Sequence, residues 1–586
     1  MQPTAVAIGD SGLRVPEERE FETQDGVKLF YRRWPGTGKR TVVLLHRGHE
    51  HSGRVAHVVD ELDLPEVSFF AWDARAHGRS GGQQGSSTTM STFVQDLDEF
   101  VRHIRAEFGI AEEEISVVAQ SVGAVIAAAW AHDYAPSISC MVLAAPAFKV
   151  KLYVPFARLG LGLWHKLAGD FFVKSYVKGR ALTHDTARSA SYHADPLIKL
   201  QISARVLLDL YRISARLVAD AAAIRVPTQL LLSGSDWVIH NQPPQRFFER
   251  LGTEEKEIHS FDGFFHDTLG EKDRHLAIAK VRAFLERPLS PRTSLQSADR
   301  SGFTKAEYDQ LNRPLPALSP KQWTFALTKL FLRTIGRLSS GIRLGCDTGF
   351  DSGSSLDYVY RNRASGITPL GTLIDWFYLN SPGWRGIRVR KHLLEELIGR
   401  AANSLRQTGH PVRIVDVAAG HGRYVLEAIA NLDNAPDDVL LRDFDPRNVE
   451  LGQRLIAEKK LSARFEQGDA FDRASLSSLQ PKPTVAIISG LFELFPQNDP
   501  LRETLGGLAT AIEPGGYLIY TGQPWHPQLE FIARTLSSHR GGAPWVMRRR
   551  TQEELDELVR SAGFRKVEQR IDPEGLFTVT LSERIG

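Results

Sequence analysis

From about residue 20 to residue 285, short apolar runs alternate with helix-length stretches, the pattern of a parallel sheet wrapped by helices. The runs at 41–46, 68–73, 115–120, 140–145 and 229–233 read as strands, and a long insertion at 149–225 reads as helical. The pattern then breaks at PLSPRTSLQS, a Pro- and Ser-bearing linker. A helix-like stretch follows at 320–338, then a Gly/Ser/Asp-rich segment at 345–356 that is expected to be irregular and flexible. From about residue 412 strand–helix alternation returns, with strands expected at 413–417, 439–442, 463–467, 484–489 and 516–521. The closing stretch FRKVEQRIDPEGLFTVTLSERI reads as an antiparallel hairpin turning at Asp572-Pro573-Glu574-Gly575. The expected class is α/β in two separate domains, with no internal repeat.

Composition narrows the function more than the fold. The 586 residues are 42% hydrophobic and 24% charged, enough to bury two substantial cores and too balanced for a largely disordered chain. A net charge of +3 gives no support for nucleic-acid binding. Two cysteines, Cys140 and Cys346, exclude a disulfide framework and a Cys-rich zinc module. Residues 1–21 carry Asp10, Glu17, Glu18 and Glu20 with no apolar stretch, so a secretory signal is not expected. The longest uncharged run, 115–131, is short for a membrane span and is interrupted by Gln120, Ser121 and Gly123. The expected location is cytoplasmic, with peripheral contact at the inner membrane face left open and no oligomeric state implied.

The first candidate chemistry sits where the strand at 115–120 runs into Ser121-Val122-Gly123 and an Ala-rich helix. A serine on such a strand-to-helix turn projects its hydroxyl above the sheet edge, and the small residues Ala119 and Gly123 permit the tight bend. The pattern departs from G-x-S-x-G at Ala119. A hydroxyl nucleophile needs a base, and the base an orienting carboxylate. Asp236 follows the strand at 229–233, and His266 lies in a loop before a later helix. The order Ser121, Asp236, His266 is the order of α/β-hydrolases.

Residues 20–285 resemble that fold in its monoacylglycerol lipase and lysophospholipase branch, through ETQDGVKLFYRRW, LLHRGHEHSGR, FFAWDARAHGRSGG, AQSVGA, SGSDWVI and GFFHDTLGE. The resemblance implies an oxyanion hole from the amides of Gly48 and Val122, a lid at 149–225 and a lipid-like ester substrate. One position departs from it: the usual His-Gly is His46-Arg47. The stretch 149–180 interleaves Leu152, Phe156, Trp164 and Phe172 with Lys149, Arg158, Lys166 and Arg180, and its only acidic residue is Asp170. It reads either as an acyl-entry surface that attracts anionic lipid or as an amphipathic helix pair with a solvated basic face.

The second candidate chemistry follows the strand at 412–416. Asp416 precedes Val417-Ala418-Ala419-Gly420-His421-Gly422, and glycines after a first strand let the backbone approach a nucleotide. Asp443 ends the next strand, 21 positions beyond Gly422, near the spacing of a ribose-hydroxyl acceptor. Asp469 ends the third, where an adenine could be read. A nicotinamide-binding domain is the competing reading, disfavoured by the incomplete G-x-G-x-x-G and the closing hairpin.

Together with GDAF and EPGGYLIY, these features resemble class I S-adenosylmethionine-dependent methyltransferases over residues 365–586, with 286–364 as linker and helical connector. The resemblance implies S-adenosylmethionine as cofactor. Asp416 would lie near its methionine portion, Gly420 and Gly422 beneath it, Asp443 on the ribose and Asp469 at the adenine. Ala418 replaces the usual first glycine, and a register slip would put Asp445 in the place of Asp443. YLNSPGWRGIRVRKHLLEELI is expected to cap the site. Glu493, Tyr520, Trp525 and His526 lie where acceptors bind in this family, each equally readable as packing. Arg548-Arg549-Arg550 reads as a solvated face, with a carboxylate or phosphate holder as the alternative.

The whole chain resembles bacterial fusions of a lipase-like hydrolase with a methyltransferase. The expected function is serine ester hydrolysis plus methyl transfer to an unidentified acceptor. An acyltransferase resolved by an alcohol, or one half serving as a lipid- or partner-binding scaffold, are the alternatives. A carboxylate released by one half is a candidate acceptor for the other, and the amphipathic stretch at 320–338 is a candidate membrane-surface helix.

Overall fold

The computed structural model describes residues 13–83, 88–154, 156–290 and 292–586. Much of the N-terminal segment read for a signal, and one position of the linker, lie outside them. The chain forms two compact units, one ending at Arg292 and the other beginning at Thr293.

The sheet of the first unit contains β1 (Glu17–Glu22), β2 (Lys28–Trp34), β3 (Thr41–Leu45), β4 (Ser68–Trp72), β5 (Ile115–Gln120) and β6 (Cys140–Ala144). The insertion contributes a separate antiparallel pair, β7 (Phe172–Lys174) with β8 (Gln201–Ser203), before the sheet resumes with β9 (Thr228–Ser233) and β10 (Lys256–Phe261). The order is β1-β2-β4-β3-β5-β6-β9-β10, antiparallel at β1–β2 and β2–β4 and parallel from β4 onward. Strands β3, β5, β6 and β9 are buried at every position, so they appear in the sequence as unbroken apolar runs. Besides β7 and β8, the insertion folds as helices Ala157–Ala168, Thr186–Ala194 and Ala204–Ala219, so it is helical only in part.

The second unit is built on β11 (Arg413–Asp416), β12 (Asp438–Asp443), β13 (Arg464–Gln467), β14 (Val485–Ile488), β15 (Tyr517–Gly522), β16 (Phe564–Ile571) and β17 (Thr578–Arg584). The order is β13-β12-β11-β14-β15-β17-β16, with β17 antiparallel between β15 and β16. Helix Pro382–Gln407 lays Leu394, Leu397, Ile398 and Ala401 on Ile414, Val439, Ile487 and Ile519 of the sheet.

Two segments differ from their sequence reading. Residues 345–356, expected to be irregular, lie largely within helices Ser340–Thr348 and Gly353–Arg361, whose first turns are capped by the side chains of Ser339 and Ser352. The helices before residue 365 are also more than a tether: Leu311, Ile342, Phe350 and Val359 pack in one cluster with Trp384, Ile532, Trp545 and Phe577.

Candidate active sites

Ser121 stands between β5 and helix Val122–Asp133 with φ +57°, a left-handed backbone that costs roughly 1–2 kcal/mol for a residue with a Cβ. The bend leaves no room beyond it: a Cβ on Gly123 would lie 2.6 Å from the His46 carbonyl oxygen. Ser121 Oγ is 2.7 Å from His266 Nε2, and His266 Nδ1 is 2.7 Å from Asp236 Oδ2. The other Asp236 oxygen accepts the N–H groups of Val238 at 2.7 Å and Ile239 at 2.9 Å. Burial opposes the charge on Asp236, but the facing imidazole and these two N–H donors hold its carboxyl below the usual range. The structure therefore brings together the three residues that the sequence put in order, from loops 115 and 30 positions apart.

Gly48 and Val122 are neighbours, since a Cβ on Gly48 would lie 3.1 Å from Val122 Cγ2. Both line a cavity of about 550 Å³ with Ser121 and His266, walled on its far side by Leu152, Leu161 and other insertion residues. Val122 opens its helix, so its N–H has no partner one turn back. His46 holds the loop before Gly48, its Nδ1 2.6 Å from the Arg47 carbonyl and its Nε2 accepting the Ala74 N–H at 3.0 Å. The insertion carries Phe156, Leu159, Trp164 and Leu167 fully outward, an apolar face left uncovered in this unit.

Arg47, where the resemblance has glycine, is buried and clamps the loop. Its guanidinium reaches Glu50 at 2.5 and 2.9 Å and Asp267 at 3.2 Å. Asp267, the neighbour of His266, also accepts from Arg188 at 2.6 Å and Gln120 at 3.0 Å. Burial works against the charges of Glu50 and Asp267, yet these cations hold both carboxyls below their ordinary values. Sequence reasoning saw only an anomaly at Arg47. The acidic Glu50 three residues on was the available signal.

In the second unit Gly420, Gly422, Asp443 and Asp469 line a cavity of about 660 Å³. Gly420 and Gly422 take φ +58° and +72°, and a Cβ on Gly422 would collide with Leu441 at 2.4 Å. Strand β12 ends at Asp443, which accepts the N–H of Gly420 at 2.8 Å, the N–H of Asp445 at 2.9 Å and Asn448 Nδ2 at 2.9 Å. One of about four acceptor sites remains for a ligand hydroxyl. Asp445 instead caps helix Pro446–Lys459 and pairs with Arg447. Asp469 is exposed and accepts the Phe471 N–H at 2.8 Å. Asp416 is fully buried behind the glycine loop, bound to the Tyr424 hydroxyl and to the Ala418 N–H at 3.2 Å, and burial pushes its pKa up to about 7. Asp351, Ser352 and Gly353, within the segment read as irregular, form part of the cavity wall.

The four residues flagged near β14 and β15 divide. Glu493 and His526 line a further cavity, whereas Tyr520 is buried and donates to Asp556 at 2.7 Å, and Trp525 packs beneath Arg549. The arginine run is not a solvated face, nor a ligand holder. Arg548 pairs with Glu554 at 2.8 Å, Arg549 with Glu307 at 2.6 Å, and Arg550 donates to the carbonyls of Phe492, Phe495 and Gln497 at 2.6 to 3.0 Å. All three are at least 96% buried.

Fold and site together define an α/β-hydrolase joined to a methyltransferase-like α/β unit. A family model described as "Serine aminopeptidase, S33" matches residues 36–273, and one described as "Putative methyltransferase" matches residues 281–584. The latter spans over half of the chain, and the chain belongs to that family. YnbC of Escherichia coli (strain K12), described as uncharacterized, is 53% identical over 97% of this chain and 99% of its own. The monoacylglycerol lipase of Mycolicibacterium smegmatis is 28% identical over 46% of this chain and 96% of its own. A crystal structure of Paleococcus ferrophilus monoacylglycerol lipase superposes with a TM-score of 0.40 at 23% identity, covering 44% of this chain and 98% of that one. The first unit is thus a serine hydrolase domain similar to monoacylglycerol lipases.

Proposed function

We propose that the protein is bifunctional, cleaving lipid-like carboxylic esters in its first unit and transferring methyl groups from S-adenosylmethionine in its second. The Ser121–His266–Asp236 hydrogen-bond chain at the floor of an apolar cavity carries the first half of the reading. His266 Nε2 takes the Ser121 proton as Oγ attacks the ester carbonyl, and Asp236 steadies the resulting imidazolium through Nδ1–H. The amides of Gly48 and Val122 stabilise the oxygen on which charge develops. His266 then gives its proton to the departing alcohol, and water resolves the acyl-enzyme by the same route. The apolar walls, with exposed Phe156, Leu159 and Trp164 on the insertion, favour a long acyl chain delivered from a lipid surface.

For the second half, the residues fit the cofactor: a two-glycine turn with positive φ, a carboxylate with acceptor capacity at the end of β12, and a cavity of adequate size. Gly420 and Gly422 would let the backbone lie against it, Asp443 would take one ribose hydroxyl and Asp469 the adenine amine. Asp416 would fix the loop from behind. The cofactor, when bound, supplies an electrophilic methyl group. Two measurements on the full chain test the reading separately: fluorophosphonate labelling at Ser121, and calorimetric titration with S-adenosylmethionine. Absence of labelling sinks the hydrolase half, and absence of a binding heat sinks the other.

A further inference from the structure

Beside the glycine-lined cavity lies a second one of about 320 Å³, sharing Asp351, Leu356, Arg390, Gly490 and Leu494 with it. Its walls are mainly aromatic, and Trp384 and Trp545 stack within it at 6.1 Å between ring centres. Phe331 and Phe377 line it while remaining 41% and 63% exposed, so it opens onto the surface between helices Pro320–Arg333 and Pro369–Leu379. Those helices hold Trp323, Leu327, Leu330, Leu370, Leu373 and Trp376 outward, room for an apolar tail to continue beyond the cavity.

Against these walls stands a set of buried donors without partners. Arg390 Nε, Gln523 Nε2 and Trp545 Nε1 belong to side chains 2%, 4% and 9% exposed, and none has a hydrogen-bond acceptor among the described residues. Leaving such donors unmet costs roughly 1–3 kcal/mol each, more for a charged group, so a ligand toward which these side chains turn recovers part of that amount. His526 contributes a further N–H to the lining: its Nδ1 accepts the Gln528 N–H at 3.1 Å, leaving Nε2 to carry the hydrogen. Burial holds this imidazole neutral, with its pKa lowered to about 4. On the acceptor side the cavity offers Glu493, which faces Arg390 Nη1 at 3.7 Å, and Asp351, which is taken up by Ser538 and His539. Set against Glu493 and the amide oxygen of Gln523, the N–H groups of Arg390, Gln523, Trp545 and His526 are the majority, which favours a ligand group that accepts.

Building on the methyltransferase reading above, we infer that this cavity holds the methyl acceptor, and that the acceptor is a long-chain carboxylate, made into its methyl ester. A carboxylate offers about four acceptor sites and no donor, matching the unpaired N–H groups, and Arg390 offsets its charge. The transfer balances without a base. A carboxylate oxygen lone pair forms the new C–O bond as the methyl–sulfur bond breaks, the electron pair stays on sulfur, opposite charges cancel and no proton moves. The acid is the product class of ester hydrolysis, so the first unit's reaction is of the kind that would supply it.

The test uses the full-length protein with Ser121 blocked by a long-chain alkyl fluorophosphonate, which fills the hydrolase cavity. Palmitate binding is followed by tryptophan fluorescence, and a diazirine-bearing palmitate is photocrosslinked and mapped by peptide mass spectrometry. Crosslinks are expected on peptides within 374–390 and 523–547. Gln523→Leu and Trp545→Phe should each weaken palmitate by at least about tenfold, the equivalent of one hydrogen bond to a charged group, with S-adenosylmethionine affinity unchanged. Crosslinks confined elsewhere, unchanged palmitate affinity in both variants, or hexadecanol binding as tightly as palmitate would overturn the inference. Crosslinking of this cavity in a protein that fails to bind S-adenosylmethionine would uphold the carboxylate site and refute the cofactor assignment instead.

Discussion

Replacing Arg47 by methionine keeps most of its volume while deleting its charge. Three buried carboxylate contacts go with it: two to Glu50, at 2.5 and 2.9 Å, and one to Asp267 at 3.2 Å. Asp267 keeps Arg188 at 2.6 Å and Gln120 at 3.0 Å, so its charge stays matched. Glu50 is left with Arg54 at 3.6 Å, a contact too long for a hydrogen bond, and is 1% exposed. The variant therefore leaves one buried carboxylate nearly uncompensated, and the lower end of the usual 3–5 kcal/mol for a broken buried pair applies, about 3 kcal/mol. Native-state hydrogen exchange read on peptides covering 41–54 should show the opening free energy reduced by about that amount, with peptides of the second unit unaffected. Adding Glu50→Gln should restore at least about 1 kcal/mol, because the orphaned charge is removed. The effect should deepen above pH 5, where Glu50 ionises in the unfolded chain. Unchanged protection in Arg47→Met, or no recovery in the double variant, would refute the idea that Arg47 fastens this loop electrostatically.

Ser121→Ala should abolish fluorophosphonate labelling and lower ester turnover by about 10⁶-fold, leaving the heat of S-adenosylmethionine binding unchanged. Asp443→Ala should weaken that cofactor by roughly 1–3 kcal/mol by calorimetry, whereas Asp445→Ala, which removes a helix cap, should not. Asp416 favours its protonated form in the folded chain, with a pKa of about 7 against an ordinary 3.8; stability of the second unit should therefore fall as pH rises from 4 to 7, and Asp416→Asn should flatten that slope in denaturant titrations. Arg550→Ala frees three buried carbonyls of the 492–497 loop, and should cost about 3 kcal/mol or more in the same assay.

The central strands were legible because burial on both faces writes them as apolar runs, and β5 and β14 fall within a residue or two of their expected bounds. Strand β1 was not, since EEREFE alternates charged residues toward solvent and only pairing with β2 makes it a strand. Ser121, Asp236 and His266 were legible through their places at strand ends and loops and through their order along the chain. The acids of the second unit divide: Asp443 and Asp469 reach the cavity, whereas Asp416 sits behind it against Tyr424, which no local sequence feature marks. Residues 345–356 misled because Gly and Ser have weak helix propensity, which cap side chains and packing of Phe350 overcame. Arg548–Arg550 misled for the opposite reason. Glu554 lies within six residues of Arg548, but Glu307 and Asn498 come from positions 242 and 50 residues away, and no local window contains those two.

Arg390 belongs to the walls of both cavities in the second unit, so the two are electrostatically one compartment. If the proposed cofactor binds there, its sulfonium would meet like charge at that guanidinium, and a carboxylate acceptor would relieve the repulsion. Each ligand should thus raise the other's affinity by the same factor, as reciprocity of binding requires. After the proposed transfer, thioether and ester would both be neutral and the mutual attraction would be gone. The same fixed cation that assembles the reactants would then let the products leave.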